Sequence, residues 1–269
     1  MSLDNHDNMS FLEHLEELRW HIIRSLLAIV CAGFVCFLFP KIIYDDILLG
    51  PFNLNFPTYQ FLCKAISYLG METNFCSTGF DNFEIINRKL TGQFTTHISS
   101  SIYAGIILSF PYVIFEIWKF IAPGLLPNEK NKSSLLIFSS SFLFLIGVVF
   151  GYFVLAPLSL NFLLNYVLSG SISNEIDLTN IVSASMSMPI VSGIAFQLPI
   201  IVYFLSKAGI VSPNSLIKYR KYAIIIILII SALATPPDIF SQIILSVPVL
   251  ILYQIGIFIS KIVVKNQSE

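Results

Sequence analysis

Charged side chains make up only 12% of this sequence, against roughly 25% in an ordinary soluble domain. With hydrophobic residues at 55%, there is no polar shell to cover a water-soluble core, and the chain reads as a polytopic membrane protein. A net charge of -1 leaves no basic patch that could track a phosphate backbone, so nucleic acid is not an expected partner. Catalytic signatures are missing as well. No His-Glu-x-x-His, phosphate loop, nucleophile elbow or paired metal-ligand motif occurs, so no enzyme, cofactor or metal is expected.

Ionisable residues are also scarce inside the apolar runs. Gln197, Gln242 and Gln254 are the conspicuous polar exceptions, and all three are neutral. Proton relays and ion coupling usually use charged intramembrane groups, which counts against an ion path inside this subunit. Each glutamine either packs the helices of its own bundle or docks a partner helix. Cysteine is limited to four residues. Cys31 and Cys36 fall in the first apolar run, as inert thiols. Cys63 and Cys76 fall in a loop expected outside, where a disulfide is permitted, although spacing alone does not decide the geometry.

What the chain does have is six apolar runs: residues 22–39, 94–115, 133–157, 181–205, 222–234 and 239–259. The fifth, at about 20 Å of helix, is too short for a hydrocarbon core of about 30 Å. Thr235, Pro236, Pro237 and Asp238 tie it to the sixth, so the pair is expected to form a shallow hairpin. Serine triplets at 99–101 and 139–141, and the Gly147/Gly151 pair, suit close helix contacts. Orientation follows the basic residues. Eleven of fifteen (Arg19, Arg24, Lys119, Lys130, Lys132, Lys207, Lys218, Arg220, Lys221, Lys261 and Lys265) lie on one side if both termini are cytoplasmic. Residues 41–93 and 158–180 then lie outside. The long outer segment, 40–93, has room for cap helices, one expected at 62–69. The whole chain, 1–269, reads as a single integral domain.

Residues 1–21 lack a basic region followed by a small-residue cleavage site, so the first run is expected to insert uncleaved. Ser10 and Glu13 have capping-box spacing, opening an amphipathic helix over 10–21 along the membrane surface. Glu13 serves the cap and Glu16 pairs with Arg19 three residues on, which leaves Glu17 as the free acid. A second stretch, 116–132, interrupts two apolar runs on the cytoplasmic side. There Pro123, Gly124 and Pro127 hold the backbone away from helix, and Glu129 follows. It reads either as a rigid receptor loop for something cationic or as a solvated connector.

Four elements in order resemble the TatC family, the multispanning receptor subunit of the twin-arginine protein translocase. His14-Leu15-Glu16-Glu17-Leu18-Arg19 is similar to its H-L-x-E-L-R element, and Trp118 to Leu125 followed by Glu129 to its first cytoplasmic loop. Gly147 to Leu158 is similar to its third span, and Thr235 to Gln242 to its fifth-to-sixth turn. The resemblance implies a concave, glove-like bundle of six transmembrane helices with short fifth and sixth helices, in the bacterial inner membrane. It implies binding of twin-arginine signal peptides of folded cargo, partnership with TatA- and TatB-type single-span proteins, homo-oligomers within the complex, and use of the proton-motive force. It assigns signal binding to Glu17 and Glu129, with Arg19, Phe120 and Pro123 as neighbours, and aligns Pro51 with a family proline. The chain departs from the family pattern at Trp20-His21, where basic residues are usual, and at Gln197 and Gln254, where many or some members carry glutamate. The competing class is a six-helix small-solute permease, which should carry charged or unwound midplane sites or inverted repeats. The sequence shows none of these.

Overall fold

The computed structural model describes residues 11–53, 55–68, 85–121, 133–166, 169, 175–235 and 239–268. It is helical almost throughout. In chain order the helices are α1 Phe11–Phe37, α2 Pro57–Tyr68, α3 Gly92–Ile121, α4 Ser133–Phe150, α5 Ala156–Asn165, α6 Leu178–Ala195, α7 Leu198–Lys207, α8 Pro213–Lys218, α9 Arg220–Ala234 and α10 Ile239–Ser268. Two-residue strands β1 Ile85–Ile86 and β2 Ile176–Asp177 pair in parallel, a small exception to an all-α expectation.

Five stretches are long and apolar enough to cross a membrane: His14–Phe37, Gly92–Ile121, Ser134–Asn165, Leu178–Lys207 and Ser241–Lys265. The fifth of the six apolar runs is not among these, as its shortness leads one to expect. The fifth apolar run is α9, 15 residues or about 22 Å long, which falls short of the hydrocarbon thickness. The sixth helix is not short, contrary to expectation. It runs 30 residues as α10, because Ser260 and Val263 stay buried and carry the helix past the apolar run. At the N-terminus α1 continues without a break from the amphipathic segment into the first span.

The chain packs as two units, one of residues 1–39 with 101–142 and the other of 40–100 with 143–269. In the first, α1 and α3 touch where both lack side chains. A Cβ on Gly105 would lie 2.7 Å from the Gly33 nitrogen and 2.8 Å from its Cα, so the helices meet backbone to backbone.

The second unit has its core between α5, α6, α9 and α10, where Leu155, Met188, Ile227, Leu245, Val249 and Tyr253 are buried together. The Gly147/Gly151 face packs as the small-residue spacing suggests. Added Cβ atoms there would meet the Gly193 and Pro189 Cα atoms at 2.7 and 2.5 Å. Between α4 and α5 the helix widens into a π-turn at Gly151–Leu155. Ile42–Leu48, a short turn at Gly50–Phe52 and α2 dock onto it. The Tyr152 hydroxyl donates to the Ile47 carbonyl at 2.7 Å, and Thr58 donates to the Phe153 carbonyl. The span after β2 is interrupted by a turn at Phe196–Gln197, with Pro199 opening α7.

Candidate functional site

The site residues read from the sequence belong to two chain segments, and the structure brings the described parts of both together within the first unit. Hydropathy puts the end of the second span at Phe115. The helix instead continues to Ile121, so Glu116, Trp118, Lys119 and Phe120 are helical rather than part of a loop. This extension carries Phe120 to the N-terminal end of α1. There its ring stacks on His14, with centroids 4.5 Å apart and planes 23° apart. On its other side Phe120 meets the His21 ring edge-on at 6.1 Å.

One turn below lies a pair absent from the sequence expectation. His21 Nδ1 donates to Glu116 Oε2 at 2.6 Å. The glutamate is only 2% exposed, which would be costly for an isolated carboxylate. It is compensated from both helices. The Tyr112 hydroxyl bonds it from one turn earlier on α3, and Arg24 Nη1 on α1 approaches to 4.0 Å. The available signal was that Phe-Glu-Ile-Trp ends an apolar run with an acid beside a tryptophan. Trp118, two residues on and on the other side of α3, is buried as well.

Glu17 is half-buried on α1, one turn before His21. Arg19 is exposed, with its guanidinium 5.9 Å from the Trp20 ring centroid. Pro123 and Glu129 lie outside the described residues, as do Ser10, Pro236, Pro237, Asp238 and Cys76. Cys63 is disulfide-bonded, whereas Cys31 and Cys36 are free thiols.

The remaining assigned residues sit elsewhere. Pro51 is buried in the second unit, and the Tyr59 hydroxyl lies 3.0 Å from its carbonyl and 2.9 Å from that of Pro157. Gln197 is buried in the turn between α6 and α7. Gln242 Nε2 donates to the Leu228 carbonyl at 3.0 Å, binding α10 to the short α9. Gln254 is exposed on α10.

The comparison with known proteins bears on the whole chain. The family model for Sec-independent protein translocase protein (TatC) matches residues 13–248. The chain belongs to the TatC family. The Sec-independent protein translocase protein TatC of Blattabacterium sp. subsp. Periplaneta americana is 39% identical over 261 residues, covering 97% of this chain and 98% of that protein. The TatC of Aquifex aeolicus is 30% identical over 262 residues, again covering 97% and 98%. A crystal structure of the twin arginine translocase receptor TatC superposes with a TM-score of 0.74 at 31% identity, covering 94% of this chain and all of that one. As a TatC protein the chain is a multi-pass transport receptor subunit of the Tat pathway and not an enzyme. Its His14–Arg19 and Trp118–Phe120 elements are the two ends that the His14–Phe120 stack joins.

Proposed function

We propose that this chain is the signal-peptide receptor and core subunit of a twin-arginine translocase, exporting folded proteins across a bacterial inner membrane with the proton-motive force. The observation that carries this reading is the antiparallel pairing of α1 with α3. Their contacts step from Gly33 and Gly105 through His21 and Glu116 to His14 and Phe120. Glu17 is thus held near the end of α3 at Ile121, after which the sequence runs on to Pro123 and Glu129. In this reading Glu17 and Glu129 hold the two arginines, since a planar guanidinium gives a carboxylate two parallel hydrogen bonds. Arg19, Phe120 and Pro123 shape the surrounding surface.

Short α9 supports a role for single-span TatA- and TatB-type partners. Beside it an apolar cavity of about 280 Å³ opens between α6, α7, α9 and α10, lined by Ile194, Ile201, Ile230, Leu245 and Val249, with Ser231 as a polar contributor. In this reading a partner helix lies there, docked with help from Gln197 and Gln242, and further copies of the chain join it in a homo-oligomer.

The test is equilibrium binding of a synthetic signal peptide with an Arg-Arg pair to the full chain in detergent or nanodiscs, against the same peptide with Lys-Lys. Preferential binding of the arginine form supports the reading, and equal binding contradicts it. The turn at Phe196–Gln197 is a broken span of the kind a permease uses. It is packed on apolar groups, with Phe150 stacked on Phe196 at 5.6 Å, which favours a structural hinge over a solute site.

A further inference from the structure

We infer that the buried His21–Glu116 pair is a positioning clamp for this site, locking the register of α1 on α3 so that Glu17 and Phe120 are presented together. The inference rests on the signal-peptide reading above. Neither residue of the pair is available to a peptide, because His21 is 8% and Glu116 2% exposed. Their influence must pass through neighbours, and the helical spacing names them. Glu17 lies four residues before His21 on α1, and Phe120 four residues after Glu116 on α3, so each pair shares a helix face.

Sliding is the motion the clamp prevents. Two helices that meet through small and apolar groups keep most of their contact area when one shifts by a turn. A single directional contact removes that freedom, because a shifted α1 would take His21 away from the buried carboxylate and leave it with Tyr112 alone. The glycine contact cannot do this alone. It lies about 18 Å from the pair along α1, far enough for the N-terminal half to swing. The Phe120 ring, held between His14 and the edge of His21, carries the register to the helix end.

Around the pair stand Arg24 from α1, Tyr112 and Lys119 from α3, and the Phe120 ring, so the buried carboxylate is held by groups of both helices.

The experiment is a double-mutant cycle on the full chain, reading the Kd of the Arg-Arg peptide at one fixed pH. The variants are His21→Asn, Glu116→Gln, their combination, and the exchanged His21→Glu with Glu116→His; Glu17→Gln is the control. Thermal unfolding of each is measured in parallel. Each single variant should weaken binding roughly ten-fold, with the double no worse than either single. The exchanged variant remains informative if a single variant unfolds, and it should recover binding to within a few-fold of the native chain. Variants that unfold at lower temperature yet bind the peptide within two-fold of native would show a merely structural pair and overturn the inference. If Glu17→Gln abolishes binding while the pair variants retain it, the inference alone fails. If Glu17→Gln binds normally, the site reading fails and takes the inference with it.

Discussion

Gly33 and Gly105 bring the backbones of α1 and α3 into direct contact, and no side chain fits between them. A Cβ on Gly105 would stand 2.8 Å from both the Gly33 Cα and the Ile29 carbonyl oxygen, and these atoms belong to a helix backbone that cannot rotate aside. Gly105→Ala should therefore destabilise the first unit by about 1–3 kcal/mol, the usual cost of overpacking. Thermal unfolding of the detergent-solubilised chain measures this. An unchanged midpoint would mean that the two helices separate freely.

Tyr59 ties the segment before the second span to the third span. Burial pushes its phenol well above the ordinary range, so it stays protonated and able to donate. Its hydroxyl is shared between the carbonyls of Pro51 and Pro157. Tyr59→Phe removes that donor and leaves two buried acceptors without it, at a cost of about 1–3 kcal/mol. Limited proteolysis should then cut residues 42–68 faster, while cutting at native rates would assign their anchorage to Phe56 and its aromatic neighbours.

The cysteines make a sharper test. With Cys31 and Cys36 free and Cys63 bonded, we propose Cys76 as the partner of Cys63. A loop of this size would gain about 3 kcal/mol in the chain-entropy account. Denatured protein kept from reductant should titrate two thiols, and four would refute the bridge.

Acid should loosen the start of α6. Asp177 caps that helix, and its carboxyl is held below the ordinary carboxylate value, first by the Thr179 hydroxyl and then by the Thr179 backbone amide at 2.8 Å. A depressed folded-state value contributes stability that is complete above the unfolded value of about 3.9 and is lost as pH falls through the folded one. Hydrogen exchange at Leu178–Ile181 should accelerate below about pH 4. Asp177→Asn should lessen that acid response, and an identical response would rule Asp177 out as its source.

Much of this architecture was legible in composition, because runs of apolar residues admit little but helix in a bilayer. The misreadings share a cause. Hydropathy scores a residue by type and ignores its partner, so Glu116 looked like the end of a span. Its donor, His21, is 95 residues away in the chain. The same blindness hid the interruption at Phe196–Gln197, where Gln197 stands out as a polar residue but not as a break, and Pro199 opens the next helix. The β1–β2 ladder is two residues long, too short for an alternating pattern to register. Of the candidate site, the sequence motifs supplied Glu17, Arg19 and Phe120. The clamp that aligns them emerged only from the packing.

The central claim is that Glu17 and Glu129 hold two arginines of a signal peptide. Each charged hydrogen bond contributes roughly 1.5–3 kcal/mol when partly desolvated, less where salt screens it. The most direct measurement is the Kd of the Arg-Arg peptide for the native chain and for Glu17→Gln, Glu129→Gln and Glu13→Gln at fixed ionic strength. Loss of binding by about ten-fold or more at Glu17 and Glu129, with only a small change at Glu13, is the predicted result. Equal and mild effects at all three would show a diffuse negative surface and contradict the site.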